Sequence, residues 1–307
     1  MLKKVLTVFL LAAFCVTMLP LQVMAARLEQ TPLEKIAVVE QILYGSEQEG
    51  SLVDRTNKLE REVFGLPGKE ALMTKVERIY GFVRENSPNM PSLAFKMSTL
   101  EWSLTQSVAK GPIKARLENL EMTVSGTRGS GSVEARVSRL MAITFSNSKF
   151  QTGTATLSKD TLVKIKMITQ LDSRKNKTGE SVDFEVAEDV YSSGLLLIPQ
   201  GALGTGKLTK VEQAQNFGRD AKLIVNFETV EALDMTKIAT ILGEKAKKET
   251  MSTATAAGAG FAGMILLGPI GLVGAAFVHG KNITVPAGTT LFIQTQADVE
   301  LFGMTAK

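Results

Sequence analysis

Residues 30 to 150 repeat themselves every 20 or 21 residues, and this periodicity limits the fold more than any other feature of the chain. With position zero at Gln30, Gly50, Glu70, Pro91, Gly111 and Gly131, apolar residues recur two, six, nine and thirteen places on. The second unit gives Leu52, Thr56, Leu59 and Val63; the fifth gives Ile113, Leu117, Leu120 and Val124. Steps of four, three and four fall on one narrow helical stripe at about 100° per residue. Each unit therefore reads as a helix of roughly fourteen residues and a short loop. Ser51, Ser92 and Ser132 stand at N-cap positions, and Thr31 to Glu34 reads as a capping box with Pro32 at the first helical position. Tyr44-Gly45, Phe64-Gly65 and Gly126 mark stops. No unit can bury its stripe alone, so the units must pack on one another.

Charges flank the stripe. Five places after zero every unit carries a base: Lys35, Arg55, Lys75, Lys96, Arg116 and Arg136. Ten places after zero four units carry an acid: Glu40, Glu60, Glu101 and Glu121. In heptad terms the bases lie at g and the acids at e. That pattern pairs a base with the acid of a parallel, in-register neighbour, either the adjoining unit or another chain. The partner expectation is self-association through the repeats. A solvated flank and a basic ridge for an anionic wall polymer are the alternatives. The units resemble the short Leu-Glu-x-x-x-Phe-Gly repeats of envelope proteins of some diderm bacteria. Leu59, Glu60, Phe64 and Gly65 carry the likeness, and Leu120, Glu121 and Gly126 carry it without the aromatic. The resemblance implies a place in the envelope rather than an activity.

From about residue 151 the period changes to two. Val163, Ile165 and Met167 alternate with Lys164 and Lys166, and Val182, Phe184 and Val186 alternate with Asp183 and Glu185. Leu223, Val225 and Phe227, then Leu291 and Ile293, follow the same rule. One polar face on each segment predicts antiparallel strands over a core. Turns fall at Lys177 to Gly179, Ile198 to Gly201 and Val285 to Gly288. The expectation is about seven or eight strands in a barrel or sandwich, and a fold class of α+β in two segregated parts. Leu196 to Gly201, Gly206, Gly218-Arg219 and Leu223 to Phe227 are similar to the C-terminal β-barrel of type IV secretion outer-membrane scaffold (TrbI-like) proteins. The resemblance implies a barrel that packs into a ring and sends a helical hairpin into the outer membrane. The chain departs from that family in having Phe227 where a tryptophan is usual, no long proline-rich arm, and helical repeats foreign to it.

Met251 to Val278 contains no charge and is rich in glycine and alanine. Its length allows a bilayer span, which needs ~20 apolar residues. Gly268-Pro269 near its middle suggests instead a hairpin over residues 251–279, with arms too short to cross. A single crossing would also split the strands before it from those after it. Membrane contact through this segment is weighed against burial on the β-domain. At the N-terminus, Lys3 and Lys4, the apolar run Val5 to Leu19 and Ala25-Ala26 have the layout of a secretory signal peptide over residues 1–26. The expected organisation is then a leader over 1–26, a repeat array over 27–150 and a β-domain over 151–307.

Composition narrows the chemistry. The formal net charge is +4, and the leader carries only Lys3 and Lys4, which leaves too balanced a chain to argue for nucleic acid. The single cysteine, Cys15, lies in the leader, and the single histidine is His279. No catalytic, cofactor-binding or metal residues are assigned, and no cofactor is expected. Gly201, Gly204, Gly206 and Lys207 look like a phosphate loop but lie between strands with no helix to follow. Glu185 and Glu188 could be offered as the carboxylate pair of a wall-polymer hydrolase, but strand-edge acids are more often solubilising. The sequence reading is a non-enzymatic, exported structural or interaction protein of the envelope, periplasmic or at the outer membrane. A ring-forming pore or secretion-complex component is the alternative.

Overall fold

The computed structural model describes residues 30–87, 89–145, 151–214, 221–256 and 282–305. The leader expected over 1–26, with Cys15, lies outside the described residues, as do His279 and the hairpin expected over 251–279, except for 251–256, which belong to a helix.

Six repeat helices follow in order: α1 (Pro32–Tyr44), α2 (Leu52–Phe64), α3 (Leu72–Arg84), α4 (Leu93–Thr105), α5 (Ile113–Ser125) and α6 (Val133–Thr144). The three serine caps act as the spacing requires. Ser51, Ser92 and Ser132 accept hydrogen bonds from the amides of Asp54, Phe95 and Ala135, one turn in. Gly65 and Gly126 end α2 and α5 in the left-handed region, and Gln106 takes that role after α4 without being glycine. The stripe is buried: Ile36, Val39, Leu43, Leu59, Val63, Val76, Ile79, Val83, Met97, Leu100 and Leu117 are all fully inaccessible. These residues belong to one cluster. α1 packs on α3 and α5, α2 on α3 and α6, and α4 on α3 and α6. The units therefore close into a bundle inside one chain rather than running on as an open ladder.

The strands are β1 (Thr152–Leu157), β2 (Leu162–Met167), β3 (Leu171–Asp172), β4 (Ser181–Val186), β5 (Val190–Ser192), β6 (Leu195–Ile198), β7 (Leu203–Glu212), β8 (Lys222–Glu231), β9 (Lys237–Ile241), β10 (Thr284–Val285), β11 (Thr290–Thr295) and β12 (Val299–Thr305). One further helix, α7 (Glu244–Ala256), lies between β9 and β10. Six strands close a barrel in the order β11-β2-β4-β7-β8-β9. β1, β12, β6 and β5 form a second sheet, and β3 pairs β10. Closure leaves the barrel no long free edge, which is how a small antiparallel sheet avoids edge-to-edge pairing. The twelve described strands exceed the seven or eight expected because β3, β5, β6 and β10 are only two to four residues long. So short a strand shows no period.

Alternation sorts the barrel residues. Val163, Ile165, Met167, Val182, Phe184, Val186, Val225 and Phe227 point into the core. Phe184 and Phe227 meet edge to face with ring centroids 5.4 Å apart. A Cβ at Gly204 would sit 2.0 Å from the Phe184 ring, so this glycine in β7 makes room for the aromatic pair. The α+β fold class expected from the sequence is the one observed. Among the described residues, no helix is long and apolar enough to cross a membrane.

Candidate functional site: repeat clasps, junction and barrel rim

Each acid ten places into a unit has at least two partners, a loop amide and the base of the next unit, and both follow it in sequence. Glu121 Oε2 accepts from the Gly129 amide in the loop that follows, 2.8 Å away. The same carboxylate takes Arg136 of the adjoining unit in a two-pronged pair, Nε to Oε1 at 2.9 Å and Nη2 to Oε2 at 2.6 Å. Glu101 repeats this with the Ala109 amide and Arg116, and Glu40 with the Gln48 amide and Arg55. Glu60 does so with the Gly68 amide and Lys75, adding Arg78. The g and e charges therefore pair between successive units of one chain. These carboxylates are nearly inaccessible, so the clasps are buried ion pairs rather than a solvated flank.

Electrostatics follow. Hydrogen bonds from Arg136 lower the Glu121 pKa below the ordinary carboxylate value, against the opposing effect of burial. For Glu60 burial alone would raise the pKa, and the bonds from Lys75, the Gly68 amide and Arg78 outweigh it. The aromatic stops have a matching use. Arg78 lies over the Phe64 ring at 4.5 Å, and Lys58 and Lys114 each lie 5.3 Å from the Tyr44 ring centre. The Leu-Glu-x-x-x-Phe-Gly signature thus encodes one joint. Leu fills the stripe, Glu holds the loop and the next base, the aromatic receives a cation, and Gly turns the chain.

The joint is missing between α3 and α4. Tyr80 occupies the acid position there, and the residue corresponding to Gly68 and Gly129 is Pro88, which has no N–H to offer. Lys96, the base that should receive that acid, has no carboxylate within ion-pair distance among the described residues. It lies 5.7 Å over the Phe82 ring, and burial lowers its pKa.

α4 differs from its neighbours in burying both faces. Phe95 and Trp102, outside the stripe, pack with Leu196, Leu233, Phe302 and Met304 of the β-domain. The Trp102 indole donates to Asp189, 2.9 Å from each oxygen, and Asp189 also accepts from the Gln200 amide and the Tyr191 hydroxyl. The Val108 amide, just past α4, donates to the Gln200 carbonyl at 3.0 Å. Arg84, ending α3, donates to the carbonyls of Asp234 and Met235. Gly201 completes the fit: its φ is +83°, and a Cβ there would lie 2.3 Å from Ser107 Oγ. The turn Ile198 to Gly201, part of one of the segments that carry the scaffold-barrel resemblance, is therefore one of the places where the bundle meets the β-domain. Bundle and barrel belong to one compact unit, Pro32–Lys307.

The remaining sequence candidates fall as follows. Glu185 sits between Lys166 and Lys110, at 2.5 and 3.2 Å, and Glu188 pairs Lys164. Burial acts to raise the Glu185 pKa, but the hydrogen bonds and charges of the two lysines hold it below the ordinary carboxylate value. Gly204, Gly206 and Lys207 belong to a barrel strand, β7, whose amides pair with β4 and β8. Among the described residues no group of three His, Cys, Asp or Glu could hold a metal.

The chain around the apolar stretch is held at both ends. α7 lies along β11 in the opposite direction, with Ala246 beside Gln294 and Thr250 beside Phe292. β10 pairs β3, and the Ala214 amide at the end of β7 donates to Asn282. The strands after the stretch are integral to the same sheets as those before it. β11 lies between β2 and β9, and β12 between β1 and β6.

No family model matches the chain, and no curated protein matches it either. Among solved structures the chain is similar to ComB10 of the Com type IV secretion system of Helicobacter pylori, at 14% identity and a TM-score of 0.27. The match covers 47% of this chain and 88% of that one.

Proposed function

We propose that this protein is a non-enzymatic structural or interaction component of the cell envelope, in which the β-domain associates with a membrane through the charge-free stretch that follows α7. The observation that carries the reading is the placement of that stretch between strands of one barrel. β11 returns to pair with β2 and β9 after the excursion. A single crossing of a bilayer would leave these strands on opposite sides, so the stretch must leave and return on the same side. That favours a hairpin which dips into lipid or folds back on the protein. A stretch from Met251 to Val278 with no charged residue meets the composition that the hydrocarbon edge of a bilayer demands. The clasps support the structural half of the reading. They commit four acids and their bases to internal joints, so the repeats act as a rigid body that presents other surfaces to a partner. Self-association is proposed through those outer surfaces.

Flotation with lipid vesicles tests the reading. Full-length protein should float, and a variant lacking Ala256 to Val278 should stay at the bottom with its barrel still folded. Full-length protein that stays soluble and monomeric without detergent would overturn the membrane half. A ring-forming pore or secretion component is the second reading, resting on the resemblance carried by Leu196 to Gly201, Gly206, Gly218-Arg219 and Leu223 to Phe227. It requires a large detergent-stable oligomer, which sedimentation would detect.

A further inference from the structure

The barrel has one irregular seam, and a helix covers it. β11 pairs with β2 over Thr290 to Gln294, but on its other side it pairs with β9 only at Gln294 and Thr295. The Phe292 amide faces that open side. Its acceptor is not a strand carbonyl but the Thr250 hydroxyl of α7, at 2.9 Å. The same hydroxyl donates to the Ala246 carbonyl at 2.8 Å. At the start of α7 the Gln294 side chain accepts from the Ala246 amide and donates to Asp160, and Lys245 reaches the Asp160 carbonyl. α7 therefore stands where a strand neighbour of β11 would stand.

The helix is held there by very little. Among the described side chains of α7 only Ala246 and Thr250 are buried, both small, while Glu244, Lys245, Lys248 and Met251 are exposed. The barrel strands beside it bury Val163, Ile165, Met167 and Phe184. Its second half also carries Thr250, Ser252, Thr253 and Thr255, which are weak helix formers. An element with few buried apolar contacts and polar anchors opens at lower cost than the core it covers.

We propose that α7 is a detachable strap: it leaves β11 as a unit while the barrel stays folded, and so uncovers the Phe292 amide and the edge of β11. The switch is the Thr250 hydroxyl, which ties the helix to the backbone of β11, while Gln294 ties the first turn of the helix by its side chain. Once the strap leaves, β11 shows an unpaired donor on an open edge, and an added β-strand is the chemistry that satisfies such an edge.

Residue-resolved hydrogen exchange on the full chain tests this. The Phe292 and Ala246 amides should exchange with a shared opening, about 100-fold faster than the paired amides of β2 and β4. Thr250→Val should speed exchange of both by about tenfold and leave β4 unchanged, while Thr250→Ser should keep the original rates. Phe292 exchanging as slowly as β2 and β4, or Thr250→Val leaving it unaltered or speeding every barrel amide alike, would overturn the proposal.

Discussion

Arg116 and Glu101, fifteen residues apart, meet in a buried two-pronged pair at 2.9 and 2.6 Å that joins one repeat unit to the next. The Ser98 hydroxyl accepts a further bond from Arg116, and the Ala109 amide binds the same carboxylate. No buried side-chain nitrogen or oxygen of the pair is left without a hydrogen-bond partner, which is the condition under which a buried ion pair offsets its own desolvation.

Breaking that pair from one side should be far worse than removing it. Arg116→Met strands Glu101 in the bundle and should cost about 3–5 kcal/mol. Glu101→Leu combined with Arg116→Met should recover most of that loss. Urea unfolding of the two single variants and the double variant measures the difference, and additive losses would show that the pair is not coupled.

Lys96 gives the opposite expectation. It is a half-buried cation with no carboxylate within ion-pair distance among the described residues, so Lys96→Met should stabilise the chain by about 1 kcal/mol. Lys75→Met, at the same place in the preceding unit, should destabilise it because Glu60 loses a partner. Melting temperatures that move in the same direction for both would refute the contrast.

The repeat pattern was legible because a four-three-four spacing has one helical solution. Which unit a charge would pair with was not, since position in a heptad does not say whether the neighbour is the next unit or another chain. The loop amides of Gln48, Gly68, Ala109 and Gly129 were invisible as well, because a backbone N–H leaves no mark in a sequence. The junction had a signal that could have been used: Phe95 and Trp102 put large aromatics where other units carry Glu34, Asp54, Gln41 or Arg61. Within the β-domain the long alternating strands were readable and the two- and three-residue ones were not. The apolar segment read as starting at Met251 overlaps the end of α7, because the helix carries on past its last lysine.

Acid should weaken the bundle before it affects neutral interactions. Glu60 and Glu121 have folded pKa values below their ordinary 4.5, so their contribution is complete above that value and is lost as pH falls through and below it. The melting temperature should therefore drop between about pH 5 and pH 3. Glu121→Gln, which starts lower, should show a shallower drop. Equal slopes would mean that Glu121 contributes nothing to the acid response.

Asp189 concentrates the junction into one side chain. Asp189→Ala removes the acceptor for Trp102, Tyr191 and the Gln200 amide and should cost about 1.5–3 kcal/mol. Gly201→Ala should loosen the same place by more than about 1 kcal/mol, through its positive φ and the contact with Ser107. Both should red-shift the emission of Trp102, since each lets water reach the indole. A stable variant with unshifted emission would contradict the assignment of these residues to the junction.

The central claim is that bundle and barrel form one body joined through α4. Trp102 is the only tryptophan in the chain, and it sits in that joint, so its fluorescence reports the joint alone. Urea unfolding of the full chain, followed in parallel by Trp102 emission and by far-ultraviolet circular dichroism, tests the claim most directly. One body predicts coincident transitions with a single midpoint. A tryptophan transition complete while helix and strand signals remain native would mean that the halves part before they unfold, and would contradict it.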